Sequence, residues 1–339
     1  MATSPRRVSL TGIKPTGIPH LGNYIGAIRP AVELAETYDA FYFIADYHAL
    51  TTVRDRAQLD EYTRSVAASW LACGLDPARV TLYRQSDVPE TFELHWVLSC
   101  VTAKGLLNRA HAYKAARDRN RDAGVADLDA GVSMGLFGYP VLMAADILVM
   151  SADVVPVGRD QVQHVEYARD MAERFNLAYG ERFALTLPEH VTSADQGEHT
   201  MPGLDGRKMS KSYDNTIPLF CPADRLRTLV RRMKTDSTPV EDPKDPDTSS
   251  LFAIYRQFAD EAEREAVRGR LVAGGLGWGE MKDILFERLD ADLAGPRERY
   301  DELMGDRAEL DAILSGGAER ARERAALLVG SVRDAIGIR

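Results

Sequence analysis

Val8-Ser9-Leu10-Thr11-Gly12-Ile13-Lys14-Pro15-Thr16-Gly17-Ile18-Pro19-His20-Leu21-Gly22-Asn23-Tyr24-Ile25-Gly26 is the stretch on which the reading of the chain turns. Val8 to Thr11 has the apolar content of a short buried strand, Gly12 to Pro19 is dense in glycine and proline, and a periodic apolar run begins after His20. The order is strand, turn, helix. A helix that opens at the end of a strand directs unpaired N–H groups and the positive end of its dipole at whatever sits there, which suits a phosphate. The glycines at Gly12, Gly17 and Gly22 allow close backbone approach. The stretch matches neither a Walker loop nor the G-x-G-x-x-G fingerprint, so by itself it reads as an ordinary tight strand-to-helix connection.

The pattern then repeats. Ala40 to Asp46 is apolar on both parities, as in a strand buried on both faces, and ends in Tyr47 and His48. Helical periodicity covers Leu21 to about Tyr38 and Asp55 to Cys73, Val80 to Arg84 is a third strand, and Asp153 to Val157 a fourth. Successive strand–helix units imply a parallel sheet with right-handed crossovers, whose ligands gather at the carboxyl ends of the strands. Gly12 to Gly22 and Asp46 to His48 fall there, and so does the polar cluster Gly158 to His164, which opens a helix running to about Tyr179.

At 339 residues the chain is long enough for two domains. No stretch approaches the run of about 18 apolar residues that spans a bilayer, and the N-terminus lacks a signal-peptide core, so a soluble cytoplasmic protein is expected. Cys73, Cys100 and Cys221 lie far apart and form no C-x-x-C pair, the pattern of reduced thiols rather than of a zinc or iron–sulfur site. A net charge of -9 argues against a protein that coats nucleic acid while leaving room for a local basic face.

Between these landmarks, Phe92 to Asn108 reads as a helix leading into the cationic segment Arg109 to Asp122, which is either a solvated helix face or a phosphate-contacting flap. Met134 to Met150 is strongly apolar with one carboxylate, Asp146, in its middle, costly without a partner; the alternative is exposure on a polar helix face, of which Ala145, Ile147, Leu148 and Val149 leave little. Lys208 and Lys211, flanked by Gly203 and Gly206, form a flexible cationic loop that on its own reads as a generic exposed lysine loop and is also able to close on polyphosphate. From about Pro218 the composition turns helical and rich in Ala, Glu and Arg, with Arg225, Arg227, Arg231, Arg232 and Lys234 crowded together. The expected architecture is therefore an α/β fold: a Rossmann-like parallel-sheet nucleotide-binding domain over residues 1–217 and an all-helical domain over 218–339.

Pro19-His20-Leu21-Gly22-Asn23 after the first strand and Lys208-Met209-Ser210-Lys211-Ser212 after the last together resemble the two signatures of class I aminoacyl-tRNA synthetases. Gly138 to Leu148 (G-Y-P-V-L-M-A-A-D-I-L) and Val155 to His164 (V-P-V-G-R-D-Q-V-Q-H) are similar to motifs of the tryptophanyl-tRNA synthetases in particular. The resemblance spans nearly the whole chain and is weakest in the helical tail. It implies activation of tryptophan by ATP, with Mg²⁺, to tryptophanyl-adenylate, transfer to tRNA(Trp), a homodimer, and an anticodon-reading role for the tail; the tail arginines read equally as solvated helix faces.

By the same resemblance Lys208, Lys211 and Lys114 supply charge during catalysis. Lys14, His20, Gly22, Asn23, Gly158, Asp160, Met209 and Ser210 contact ATP, with Gly22 letting the adenine approach and Asp160 accepting from the ribose hydroxyls. Asp146, Met143, Tyr139, Gln161 and His48 hold tryptophan, and no metal ligand is assigned. Asp146 is expected to gain its missing partner only from the indole N–H; Met143 reads also as core, and His48 also as a satisfied structural histidine. Phe137 and Tyr139 are expected at a twofold interface. The chain departs from the common bacterial pattern in having Lys14 where glutamine stands and His20-Leu21-Gly22-Asn23 where T-I-G-N stands. Lys14 adds a cation near the substrate carboxylate. Competing readings are a tyrosyl-tRNA synthetase, a nucleotidylyltransferase with similar loops, and a synthetase paralogue with a specialised role.

Overall fold

The computed structural model describes residues 6–158, 161–191 and 201–338. Five parallel strands, β1 (Val8–Ile13), β2 (Asp39–Ile44), β3 (Thr81–Arg84), β4 (Val154–Pro156) and β5 (Glu189–Val191), form one sheet in the order β3-β2-β1-β4-β5. Register is set by Val8 opposite Asp39 and Ser9 opposite Val154. β2 explains the unbroken apolar run: Ala40, Tyr42 and Ile44 enter one hydrophobic cluster, and Phe41 and Phe43 the cluster on the opposite face. β5, three residues at the sheet edge with two of them exposed, carries no pattern that a sequence reading detects.

In chain order the helices are α1 (Leu21–Asn23), α2 (Arg29–Leu34), α3 (Asp46–Ala49), α4 (Arg56–Ala72), α5 (Glu90–Val101), α6 (Lys104–Leu107), α7 (His111–Asp122), α8 (Met134–Val149) and α9 (Val162–Tyr179). The tail adds α10 (Ala223–Arg232), α11 (Ser250–Tyr255), α12 (Glu261–Ala273), α13 (Trp278–Gly305) and α14 (Arg307–Ile336). The first helix is not the continuous run expected from Leu21 to Tyr38: a π-turn, Tyr24–Ile28, separates α1 from α2. Pro30 has no N–H to give to the carbonyl four residues back, and the Arg29 N–H bonds the Tyr24 carbonyl instead, five residues back.

The helical tail does not stand apart from the sheet. α13 packs on α4 and α10, and α14 returns across the molecule to lie on β3 and α5. At Gly317 the helix meets the strand so closely that a Cβ would overlap the Leu82 carbonyl oxygen. Residues on both sides of position 218, among them Trp70, Ile217, Leu226 and Leu285, share one core. Among the described residues no helix is long and apolar enough to cross a membrane.

Candidate active site

The carboxyl ends of β1, β2 and β4 open on a cavity of about 520 Å³. Thr11, Gly12 and Lys14 line it from β1 and the loop beyond, Gly26 and Ala27 from the π-turn, and His48 from α3. Tyr139, Met143 and Asp146 contribute from α8, and Gly158 and Gln161 from the junction between β4 and α9. Met143 and Tyr139 are half-buried, and Met143 also packs on the core.

Asp146 is only 3 % exposed, and it is not waiting for a partner, contrary to the expectation from its apolar context. Gln85 Nε2 donates to both of its oxygens, at 2.8 and 3.0 Å, and His48 Nε2 lies 2.9 Å from Oδ2. A carboxylate only accepts, so His48 Nε2 carries the hydrogen in this contact. Burial raises the Asp146 pKa, against the opposing effect of the His48 and Gln85 hydrogen bonds. With about four acceptor positions on two oxygens, the carboxylate retains capacity for a third donor. Gln85, buried just past the end of β3, escaped the sequence reading. The available signal was its place at a strand's carboxyl end beside an apolar helix with a lone carboxylate.

Tyr139, expected beside the substrate ammonium, gives its hydroxyl to a contact of 2.6 Å with His164 Nε2 while its ring stays on the cavity. Gln161 lines the cavity, and its N–H donates to the Gly158 carbonyl. Asp160 lies outside the described residues.

The opening motif is built as a helix cap. His20 Nδ1 accepts from the Asn23 N–H at 3.3 Å and the Asn23 side-chain oxygen accepts from the His20 N–H at 3.1 Å. Desolvation, with the Lys211 charge adding to it, lowers the His20 pKa to about 4. The ring is thus neutral near pH 7, and because Nδ1 accepts, Nε2 carries its hydrogen. Gly22 has a different reason from the one expected: the direction of its missing Cβ is taken by the His20 ring, 3.0 Å away, rather than left open to a base. Lys14 Nζ donates to Thr51 Oγ1 at 2.7 Å, and desolvation lowers its pKa.

The lysine loop lies directly on the first loop. Gly17 has φ +144°, and a Cβ there would sit 2.9 Å from Lys211 Nζ. Desolvation in this position brings the Lys211 pKa down to about 8. Lys208 is exposed. Met209, expected at the nucleotide, is instead a core residue: its side chain is buried and its N–H donates to the Met201 carbonyl at 2.7 Å. Ser210 caps its own turn by accepting from the Ser212 N–H. Asn215, also missed, holds the loop from beneath. Its Oδ1 accepts from the Ser210 N–H at 2.8 Å, and its Nδ2 donates to Asp205 Oδ1 at 2.7 Å and to the Lys208 carbonyl at 3.1 Å.

Two expected participants lie elsewhere. The segment holding Lys114 is the regular helix α7, not a flap; Lys114 is exposed, while Ala112, two residues earlier and so on another face, lines the cavity. Among the tail cations, Arg227 stacks on Phe286 at 4.0 Å, and both it and Arg231 pair with Asp283, leaving Arg225, Arg232 and Lys234 exposed beside them.

Residues 3–291 match the family model described as tRNA synthetases class I (W and Y). The chain is similar to the tryptophan–tRNA ligase of Neisseria meningitidis, 53% identical over 338 residues and covering 99% of both chains. It is similar also to that of Xanthomonas campestris pv. campestris, 55% identical over 333 residues, 97% of this chain and 76% of that one. Among solved structures, the tryptophanyl-tRNA synthetase of Campylobacter jejuni complexed with ADP and tryptophan superposes with a TM-score of 0.86 at 41% identity, covering 98% of this chain and 100% of that one. A tyrosyl-tRNA synthetase from Aeropyrum pernix, at 19% identity and a TM-score of 0.64, shares the fold.

Proposed function

The chain belongs to the class I tRNA synthetases of the tryptophan and tyrosine type and is a tryptophan–tRNA ligase; from that premise we propose how its residues divide the work. It activates tryptophan with ATP and passes the aminoacyl group to tRNA. In the first step the tryptophan carboxylate attacks the α-phosphorus in line and pyrophosphate leaves, so the protein supplies position and charge rather than a nucleophile. In the second, a ribose hydroxyl of the tRNA terminus attacks the adenylate carbonyl and AMP leaves.

Asp146 accepts the indole N–H with the acceptor capacity that Gln85 and His48 leave, Met143 packs on the ring, and Gln161 and Tyr139 face the ammonium. Lys14 draws the carboxylate toward the α-phosphate. His20 Nε2–H and the Asn23 amide donate to phosphate oxygens at the head of α1, while Gly158 and Asp160 hold the ribose. Lys211 and Lys208 neutralise the charge that grows on the leaving pyrophosphate. Mg²⁺ bound with ATP would be held by phosphate oxygens and water rather than by a protein cage, and would offset phosphate charge. The exposed Arg225, Arg232 and Lys234 serve tRNA, and the work is cytoplasmic. The assembly is a homodimer, with the apolar face of Tyr47, Phe92 and Trp96 against a second copy: the first two rings lie 4.5 Å apart and Trp96, one turn along α5, is 69 % exposed. Phe137 packs instead on Tyr113.

The observation that carries this assignment of residues is the contact of Lys211 with Gly17, which brings the two signature loops together beside a cavity lined by a buried carboxylate. ATP–pyrophosphate exchange with tryptophan, repeated on Asp146→Ala and Lys211→Ala, tests it. A loss in both is expected, and undiminished exchange in both overturns it.

A further inference from the structure

We propose that Gln85 is a positioning residue for indole recognition: without touching tryptophan, it fixes the Asp146 carboxylate in the orientation from which that group accepts the N–H. This rests on the reading that Asp146 receives the indole. The Gln85 amide bridges both carboxylate oxygens, so it restrains rotation of the carboxylate plane as a single-point contact does not. Its own orientation is fixed by chemistry, since only Nε2 donates and Asp146 only accepts; Gln85 Oε1 in turn lies 3.4 Å from the His48 N–H.

The turn that carries Gln85 is pinned on both sides. Ser86 donates to Asp46 through its N–H, at 3.0 Å, and through its hydroxyl. Arg84 pairs with Asp87 and with Asp311 of α14. A buried glutamine on a pinned turn, bonded to a carboxylate that lines the cavity, is what preorganised recognition of one N–H requires.

The test compares KM in ATP–pyrophosphate exchange for tryptophan and for β-(3-benzothienyl)alanine, in which sulfur replaces the indole N–H, in wild type and Gln85→Met. The wild type is expected to prefer tryptophan, and Gln85→Met to reduce that preference about tenfold, through KM for tryptophan and not KM for the analogue. If Met does not pack, Gln85→Asn, one methylene short of the carboxylate, carries the same test. Retained preference, or a rise in both KM values together, overturns the role of Gln85. No preference in the wild type overturns the Asp146 reading itself, and this proposal with it.

Discussion

Asn215→Ala removes the side chain that shapes the lysine loop while leaving every lysine in place. It deletes the acceptor of the Ser210 N–H and the donor to the Lys208 carbonyl, two bonds at about 1 kcal/mol each. The bond to Asp205 is left out of the sum because that carboxylate is at the surface. The remaining ~2 kcal/mol lowers the ratio of ordered to open loop by roughly 30-fold. Asn215 itself is buried, with Gly203 so close that a Cβ there would overlap its amide. Because the loop's lysines serve the pyrophosphate, kcat in ATP–pyrophosphate exchange should fall, with about 30-fold as the limit, and KM for ATP should rise. KM for tryptophan, governed by Asp146 and its partners, should stay within about twofold. Thermal melting reports whether the fold survives, since the freed loop groups can hydrate. Unchanged exchange, or KM values for tryptophan and ATP rising in step, refutes the reasoning.

Three further outcomes follow from the same geometry. Lys14→Gln removes a cation from the cavity wall, so the ratio of tryptophanamide Ki to tryptophan KM should fall about tenfold; an unchanged ratio contradicts a carboxylate contact. Lys211 is charged below its pKa of about 8 and neutral above it, so kcat/KM for ATP should decline as pH rises through that value, and Lys211→Arg should abolish the limb; the same limb in the variant assigns it to another group. Gly317→Ala forces α14 off the Leu82 carbonyl and should destabilise by about 1–3 kcal/mol, seen as a lower melting temperature.

Much of the fold was legible because burial on both faces leaves a mark in composition: the unbroken apolar run of β2 is the direct consequence of two cores meeting across it. β5 left no such mark, being short and at the edge. The π-turn was missed although Pro30, the tenth residue of the run expected from Leu21, lacks the N–H that a continuous helix needs there: periodicity alone does not tell whether such a helix kinks, stops or takes a π-turn. The return of α14 to β3 is a long-range contact that depends on one glycine, and a glycine in an Ala-rich helix has no unique meaning in sequence. Asp146, the two loops and their lysines were visible as residue types in suggestive places. Gln85 and Asn215 were not, because an amide gains its role from what it reaches, and that is known only when strands distant in sequence are side by side.

The satisfied state of Asp146 also changes the arithmetic of amino-acid selection. A buried carboxylate left orphaned by the wrong substrate gives discrimination of about 10⁴ or more. With Gln85 and His48 bonded to Asp146, a substrate lacking an N–H forfeits one charge-assisted bond, about 1.5–3 kcal/mol, or roughly 10- to 200-fold. Phenylalanine also leaves part of the indole volume unfilled beside Met143; about three missing carbon-sized groups at ~0.8 kcal/mol each add about 2 kcal/mol. The sum, about 3.5–5 kcal/mol, is roughly 400- to 5,000-fold, shared between a hydrogen bond and packing. Selection then degrades in steps, and Gln85→Met should weaken the rejection of phenylalanine without removing it, since the packing component remains. A variant at Gln85 that accepted phenylalanine as readily as tryptophan would mean that the carboxylate carries all the discrimination and the volume of the cavity none.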